Sequence, residues 1–528
     1  MKVRILLAAL PIAVLLAVGM VADGSDADDR FYADGFICDM NDDGTVALLA
    51  YEPKTEDIRA DVIVPEAVTH EKLGECKVTK IYCVFTQDWL KTISIPKTIE
   101  HLETPMFQAP NTEEINIDPD NPYYSAVDNV IYGENGFELL EYPKFLKAES
   151  FTVPDDVVVI KRSAFSESSL KAITLPPRLF SIESLAFINC GQLSSINEED
   201  GKNRIPDTVN VIDDWAFYKC TSLDNLILPE ELRIIGKSAF MSTGLKTIEI
   251  PGKLTTLGEG AFSDCQQMKN ITCGYNSTFY ANKGILFKKD VKTTLICYPA
   301  GREDSEYRIG NTVGDIAPEA FSGCVNLKTV VLPNTMIMLS KEAFKNCLSL
   351  ENINLRKVMV IGESVFEGCT SLKSINFGPG LISIGQLAFA NTGLEEVTIT
   401  SSIQVVDSNA FSYCDNLGVV EIVDGCAAEI NPSAFEWSYG LQIVSIYGDQ
   451  IKMLPGSLDV GSDASDPVYL YVIKSKDYSL PKDVVKYPDY TILEVQDRGE
   501  RPYPYENFVA IFVCILIIIG IFKLFRGI

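Results

Sequence analysis

A short phrase that recurs at a nearly fixed interval between residues 320 and 411 constrains the fold most. Each phrase carries an Ala-Phe or Val-Phe pair, usually a Cys three residues after the Phe, and then a segment of the form Leu-x-x-Ile-x-Ile. Its Phe residues are Phe321, Phe344, Phe366, Phe389 and Phe411, at intervals of 23, 22, 23 and 22 residues. Because one unit of this size cannot bury its apolar face alone, the period predicts a solenoid of stacked coils.

The phrase begins at Leu90 and recurs 12 times, with marker Phe residues at Phe107, Phe165, Phe187, Phe217, Phe240, Phe262, Phe321, Phe344, Phe366, Phe389, Phe411 and Phe435. Its Leu-x-x-Ile-x-Ile segment alternates apolar and polar residues, as a half-buried strand does. A second apolar position, such as Ile160 or Ile182, recurs five residues before the marker Phe and predicts a second short strand on the opposite wall. We expect a β-rich solenoid of parallel strands, with a helical turn that carries each Phe inward.

Two intervals are much longer, 58 residues before Phe165 and 59 before Phe321, and they contain the same insertion. The segments "NPYYSAVDNVIYGENGFELLEYP" from Asn121 and "NSTFYANKGILFKKDVKTTLICYP" from Asn276 align and both end in Tyr-Pro. Two alternating runs around a polar turn predict a hairpin built into the stack near 121–143 and again near 276–299.

The pattern also sets the domain boundaries. Residues 31–85 lack the full phrase and are expected to form an N-terminal cap, residues 86–446 the solenoid, and residues 447–506 a C-terminal cap and stalk. Within the first cap, "DMNDDG" from Asp39 matches the first half of an EF-hand loop. The twelfth position is Ala50 instead of Glu, so a hairpin turn is the better interpretation.

Hydrophobic segments lie at both ends of the sequence. Residues 1–22 have the layout of a secretory signal peptide, although an uncleaved anchor has a similar pattern. Residues 507–525 predict a transmembrane helix: the run from Phe508 through Phe522 is apolar, and 18 residues span about 27 Å if Lys523 snorkels. Because Lys523 and Arg526 lie at its end, we expect the tail 526–528 in the cytoplasm and the repeats outside the cell.

Seven of the 14 cysteines share one slot, three residues after the marker Phe: Cys190, Cys220, Cys265, Cys324, Cys347, Cys369 and Cys414. Equivalent side chains in stacked coils point the same way, which suits a disulfide poorly, so a ladder of buried free thiols is expected. Where Ser168, Thr243 or Thr392 fills the slot, the next Leu comes one residue earlier, and Ser438 is the exception. If any pair forms a disulfide, Cys76 and Cys83 are the expected partners.

The units "LKTIEIPGKLTTLGEGAFSDC" and "LKSINFGPGLISIGQLAFANTGL" closely resemble the BspA-type leucine-rich repeat, and the resemblance covers roughly residues 76–446. The Tyr-Pro-ended hairpin is similar to an insertion frequent in that family. The resemblance implies a curved right-handed solenoid on a microbial cell surface, often linked to adhesion or host-matrix binding. It implies no catalytic residues, because the family motif is structural.

Composition argues against several other classes. A net charge of −27 excludes a nucleic-acid binder that works by neutralising phosphates. With only His70 and His101, no nucleophile motif and no CxxC pair, the sequence offers no basis for triad catalysis, a zinc site or a cofactor. Asn270 and Asn276 begin candidate glycosylation motifs.

We therefore expect a non-enzymatic, membrane-anchored surface protein that binds an extracellular protein or glycan through exposed strand positions. The candidate contacts are Lys171, Thr174, Lys246, Glu249, Lys328, Lys373 and Asn376, followed by the two hairpins. A spacer of the cell envelope that recognises no ligand is the first alternative. A glycosidase that uses paired carboxylates is the second, since acidic residues are plentiful.

Overall fold

The computed structural model describes residues 30–54, 58–447, 451–454, 456–457, 468–473 and 490–495. These residues form two compact units, which divide between Ala239 and Phe240. The predicted signal segment 1–22 and the predicted membrane helix 507–525, with Phe508, Phe522, Lys523 and Arg526, lie outside the described residues. Among the residues that are described, no helix combines the length and apolar character needed to cross a bilayer.

Short strands make up nearly all the regular structure. Those of the first unit are β1 (Phe31–Ala33), β2 (Phe36–Met40), β3 (Val46–Tyr51), β4 (Asp61–Ile63), β5 (Ala67–His70), β6 (Gly74–Ile81), β7 (Thr92–Ile95), β8 (His101–Leu102), β9 (Glu114–Ile117), β10 (Tyr124–Val127), β11 (Val130–Gly133), β12 (Glu138–Glu141), β13 (Ser150–Thr152), β14 (Val159–Ile160), β15 (Ala172–Thr174), β16 (Ser181–Ile182), β17 (Ser195–Ile196), β18 (Val211–Ile212) and β19 (Ile234–Ile235). One turn of 3₁₀ helix, Glu134–Gly136, lies between β11 and β12.

The strands of the second unit are β20 (Thr247–Ile250), β21 (Thr256–Leu257), β22 (Asn270–Cys273), β23 (Phe279–Asn282), β24 (Ile285–Lys288), β25 (Thr293–Cys297), β26 (Glu306–Arg308), β27 (Val313–Ile316), β28 (Thr329–Val331), β29 (Met338–Leu339), β30 (Asn352–Ile353), β31 (Val360–Ile361), β32 (Ser383–Ile384), β33 (Glu396–Ile399), β34 (Val405–Val406), β35 (Val419–Ile422), β36 (Glu429–Ile430), β37 (Ile443–Ile446), β38 (Lys452–Met453), β39 (Val468–Ile473) and β40 (Tyr490–Val495).

Each regular coil contributes two parallel strands, and this confirms the predicted β-solenoid. The Leu-x-x-Ile-x-Ile segments form the front strands, which pair coil to coil in the orders β13-β15-β17, β26-β28-β30 and β33-β35-β37-β39-β40. The apolar position before the marker Phe lies on the back strands, in the orders β14-β16-β18-β19 and β29-β31-β32-β34-β36-β38. Apolar residues of both sets face one interior in each unit.

The marker turns are not helical, which corrects the prediction of a helical turn. From Phe165 to Phe435, the residues two before and two after each marker Phe have positive φ, for example 59° at Ser163 and 58° at Glu167 in the coil of Phe165. As a result, the N–H groups of successive residues in the turn alternate between acceptors within the turn and acceptors in the next coil. Ser166 N–H donates to Ser163 O at 2.9 Å within the turn, whereas Phe165 N–H donates to Ala186 O in the next coil at 2.7 Å.

These turns stack the marker rings into a ladder in the interior of each unit. The Phe165 and Phe187 rings lie 4.9 Å apart with an interplanar angle of 6°, and the Phe389 and Phe411 rings lie 5.3 Å apart at 6°. In the first unit the ladder already includes Phe85, whose ring stacks on that of Phe107 at 5.8 Å. The coil of Phe85 thus has a marker ring although its sequence lacks the full phrase.

Where a cysteine fills the slot three residues after the marker Phe, its thiol donates to a backbone carbonyl. The seven cysteines in this slot are all buried free thiols: Cys190, Cys220, Cys265, Cys324, Cys347, Cys369 and Cys414. Cys190 Sγ donates to Phe165 O at 2.9 Å, and Cys347 Sγ donates to Phe321 O at 3.1 Å, in both cases in the preceding coil. Burial raises the pKa of the Cys190 thiol to about 11, so it remains a protonated donor.

Hydroxyl residues in the same slot explain the two spacings. Thr243 Oγ1 donates to Phe240 O of its own coil at 2.9 Å, and this coil has the shorter spacing to the next Leu. Ser438 has the longer spacing, and its Oγ donates to Phe411 O of the preceding coil at 2.7 Å, as a cysteine does. The spacing therefore follows the direction of the hydrogen bond and not the residue type.

Each insertion forms an antiparallel hairpin whose third strand rejoins the back strands. In the first hairpin β10, β11 and β12 pair in that order, and β12 pairs in parallel with β14. In the second, β23, β24 and β25 do the same, and β25 pairs with β27. The Tyr of each Tyr-Pro pair takes a ladder position: Tyr142 lies 5.3 Å from Phe165 and Tyr298 lies 5.1 Å from Phe321.

The N-terminal segment forms its own small sheet over the first coils. Strands β2 and β3 are an antiparallel hairpin, which confirms the turn interpretation of the EF-hand-like stretch. Asp43 accepts hydrogen bonds from Thr45 N and Thr45 Oγ1, and these bonds lower the pKa of its carboxyl group. Cys76 and Cys83 are separate free thiols.

Candidate functional site

The seven predicted contact residues are all solvent-exposed positions on or beside front strands. Lys171 and Thr174 lie in the first unit, and Lys246, Glu249, Lys328, Lys373 and Asn376 lie in the second. Parallel pairing in register places equivalent positions of successive coils about 4.8 Å apart, so each unit presents columns of like-placed side chains. The structure brings Lys328 and Lys373 into one such column.

Glutamates of neighbouring coils complete this column. Lys328 Nζ lies 3.1 Å from Glu351 Oε1, and Lys373 Nζ lies 3.4 Å from Glu395 Oε1. The order Lys328, Glu351, Lys373, Glu395 follows from the register of the front strands, and we call these four residues the front column. Their side chains are between 48% and 73% exposed.

The first unit has the same arrangement at Lys171. Its Nζ lies 2.5 Å from Oε1 of Glu149, which belongs to the preceding coil. Glu149, Glu351 and Glu395 are not recognisable from single coils, because each lies one coil away from the lysine that it pairs with. An acidic residue 22 or 23 positions from a front-strand lysine was the available signal, since that offset places the two side chains side by side.

Exposed ion pairs of this kind contribute little stability, typically below about 1 kcal/mol each. Their lysines and glutamates can therefore exchange an intramolecular partner for an external one at small cost. The front column is a surface on which both donors and acceptors are available to a large ligand.

A buried carboxylate lies beneath the first hairpin. Glu141 is 2% exposed, and its Oε2 and Oε1 accept hydrogen bonds from Met106 N at 2.7 Å and Phe107 N at 2.8 Å. Burial raises the pKa of Glu141 to about 7, and the two N–H donors oppose this shift. Because backbone groups occupy both oxygens and solvent does not reach them, this carboxyl group is structural and is not placed to act on a substrate.

The raised pKa predicts a pH-dependent stability. The folded state keeps the proton of Glu141 at pH values where the unfolded chain, with a pKa near 4.5, has lost it. Stability should therefore fall as the pH rises from 4.5 to about 7, by up to about 3 kcal/mol. Glu141→Gln removes this titration. Denaturant unfolding of both proteins should show that the unfolding free energy of the unaltered protein falls relative to that of Glu141→Gln as the pH rises through this range, and a pH-independent difference between them would contradict the assignment.

Asn276 and Asn121 fasten the two hairpins to the preceding coils by identical hydrogen bonds. Asn276 is 2% exposed; its Nδ2 donates to Pro251 O and Leu254 O, both at 2.9 Å. Its Oδ1 accepts from Thr278 N and Phe279 N. Since the amide is buried and fully used, a glycan on Asn276 is incompatible with this fold. The candidate motif there is a structural asparagine.

The described residues hold no group of three or more His, Cys, Asp and Glu side chains arranged to bind a metal ion. Of the two histidines, His70 packs against Phe31 with ring centroids 4.8 Å apart. His101 Nε2 lies 3.6 Å from Glu103 Oε2 on the exposed surface.

Comparison with known proteins gave one family match. The model of the BspA type leucine rich repeat region matches residues 142–204, 200–297 and 303–418, in 6 copies. The comparison with curated proteins found no match.

Several solved structures are similar to this chain. A leucine rich cell surface protein from Faecalibacterium prausnitzii A2-165 is 25% identical, with 84% of this chain and 97% of that chain covered and a TM-score of 0.45. The pneumococcal vaccine antigen PcpA is 15% identical, with 89% and 99% covered and a TM-score of 0.42. A leucine-rich repeat protein from Eubacterium ventriosum ATCC 27560 is 17% identical, with 81% and 97% covered and a TM-score of 0.43.

Proposed function

Because the chain belongs to the BspA type leucine rich repeat family, we propose that it is a non-enzymatic surface protein that binds an extracellular protein or glycan through its front strands. In this proposal residues 1–22 direct secretion and residues 507–525 anchor the protein in the membrane, with the repeats outside the cell. The sequence patterns of these two segments support that placement.

The observation that carries the proposal is the front column. It offers two ammonium and two carboxylate groups in alternation along successive coils, all substantially exposed and held only by weak mutual pairs. An extended array of this kind matches a large ligand better than a small molecule, because neighbouring coils contribute one contact each.

Charge reversal within the front column tests the proposal. The protein would be applied to an array of purified extracellular-matrix proteins and neutral glycans, and compared with Lys328→Glu/Lys373→Glu. We expect at least one matrix protein or glycan to bind the unaltered protein and to bind this variant at least tenfold more weakly, since each lysine is replaced by a like charge beside Glu351 or Glu395.

Lys341→Glu/Lys452→Glu is the matched control. Both lysines are exposed and pair with a glutamate of the neighbouring coil, Glu363 at 2.8 Å and Glu429 at 2.5 Å, but they belong to the back-strand side of the coils. This variant should bind like the unaltered protein. Binding to nothing on the array, or equal losses in both variants, would favour the spacer that recognises no ligand.

A further inference from the structure

The second hairpin covers a half-open cavity of about 560 Å³ in the second unit. The cavity lies where the ladder is interrupted: Phe262 stacks on Phe240 at 5.6 Å, and Tyr298 begins the next run by stacking on Phe321. Back strand β21 and hairpin strand β25 contribute to its walls. Its volume is within the usual range for small-ligand sites, about 300–1,000 Å³.

The first hairpin is bridged to the preceding coil by two of its own polar side chains. Tyr124 Oη donates to Glu100 O and accepts from Leu102 N, both at 3.2 Å. The Glu141 carboxylate accepts from Met106 N and Phe107 N, as described above. Two polar side chains therefore bridge the hairpin to the backbone of the coil before it.

Neither side chain has an equivalent in the second hairpin. The register of the two hairpins places Phe279 where the first has Tyr124, and Cys297 where it has Glu141. Phe279 has no hydroxyl group. The Cys297 thiol is buried, which raises its pKa, and its contact with Phe262 O is long, at 4.0 Å. The second hairpin therefore has the same strand pairing as the first but lacks both bridging groups.

The walls of the cavity combine apolar and acidic groups. Leu257, Phe262 and Ile316 supply apolar surface, and Glu319, 7% exposed, lies in the wall with its Oε2 accepting from Ser263 Oγ at 2.8 Å. Glu259, Asp290 and Asp315 add exposed carboxylates at the rim. The cation among the lining residues is Lys288, which lies 3.2 Å from Asp290. Such a site favours an organic cation with an apolar body.

We propose that the cavity beneath the second hairpin binds an alkylammonium or guanidinium group, supplied by a free amine or by a lysine or arginine side chain of a polypeptide. The apolar walls would contact the alkyl stem, and the rim carboxylates would contact the charged head. This site is separate from the front column, so either proposal can fail while the other stands.

A variant in which the second hairpin carries the Tyr and Glu side chains of the first hairpin tests this proposal. Phe279→Tyr/Cys297→Glu introduces the two side chains that bridge the first hairpin to its preceding coil, and here they would occupy the cavity. Isothermal titration calorimetry of the full-length chain would use cadaverine as the free amine, the peptide acetyl-Gly-Arg-Gly-amide as the polypeptide source, and 1,5-pentanediol as the neutral analogue of cadaverine. We expect saturable binding of cadaverine, the peptide or both, no binding of the diol, and at least tenfold weaker binding to the variant.

Asp290→Asn/Asp315→Asn provides a second variant with unaltered walls, in case the first folds poorly. Both carboxylates are exposed, so the fold should be unaffected, and affinity for the cationic probe should fall at least threefold. Absence of saturable binding by both cations would overturn the proposal. So would equal binding of the diol, or unchanged affinity in this second variant.

Discussion

Replacement of Asn276 by alanine is expected to lower the free energy of unfolding of the second unit by about 4 kcal/mol. The side chain makes four hydrogen bonds, two to carbonyl groups of the preceding coil and two from N–H groups at the start of the hairpin. Each is worth about 1 kcal/mol net, and a buried partner left unsatisfied costs more. Alanine would remove all four at a site that water does not reach.

Denaturant unfolding followed by circular dichroism would measure the loss, with Asn282→Ala as the control in the same hairpin. Asn282 is exposed at the end of β23, so its replacement should change the unfolding free energy by less than about 0.5 kcal/mol. Asn121→Ala should reproduce the large loss in the first unit, because its amide makes the same contacts. Equal effects of Asn276→Ala and Asn282→Ala would contradict the assignment.

Phe366→Ala is the second substitution with a large expected effect. The ring is fully buried and stacks on Phe344 at 5.7 Å and on Phe389 at 5.1 Å. Removing it leaves a cavity between two rings that the backbone holds one coil apart, so the ladder cannot collapse into the gap. Phe→Ala changes in such cores cost about 3–5 kcal/mol.

The loss should also be local, because coils contact only their neighbours. Hydrogen exchange measured by mass spectrometry should show faster exchange in the coils of Phe344, Phe366 and Phe389 than elsewhere in the second unit. Phe366→Leu keeps most of the volume and should cost less than half as much. A uniform rise in exchange across the unit, or a cost of Phe366→Ala below about 1 kcal/mol, would contradict the ladder model.

The interior and the two strand positions of each coil could be predicted from sequence. A period of 22 or 23 residues marks which positions recur, and recurring Phe, Leu and Ile residues have to share one interior. The turn conformation could not be predicted. Its left-handed positions mostly hold residues such as Ser163, Leu185 and Trp215, and glycine occupies them only at Gly260, Gly323 and Gly368, so glycine does not mark them consistently. Hydrogen bonds to the next coil impose that conformation, and they exist only once the coils are stacked.

The pairing of surface side chains was less predictable than the core, because it too depends on contacts between coils. Lys328 and Lys373 are identifiable as exposed from the alternating pattern, but their partners belong to other coils and appear only with the register. The difference between Glu141 and Cys297 is visible in the aligned insertions. Its consequence, backbone groups bridged by side chains in the first hairpin and a cavity beneath the second, depends on neighbours that the alignment does not show.

The N–H groups that the marker turns donate to the next coil affect how the number of coils can change during evolution. Between Phe321 and Phe435 each marker turn donates to the turn after it, as Phe321 N–H does to Ala343 O and Phe411 N–H does to Ala434 O. Duplication of one whole coil within the gene would add one junction, between the two copies, in which the turn donors again face the turn acceptors of the next coil, whereas duplication of part of a coil would displace them. Unequal recombination can therefore lengthen or shorten the array in steps of one coil while every remaining turn still faces a turn of the same kind, so the number of coils becomes a heritable variable.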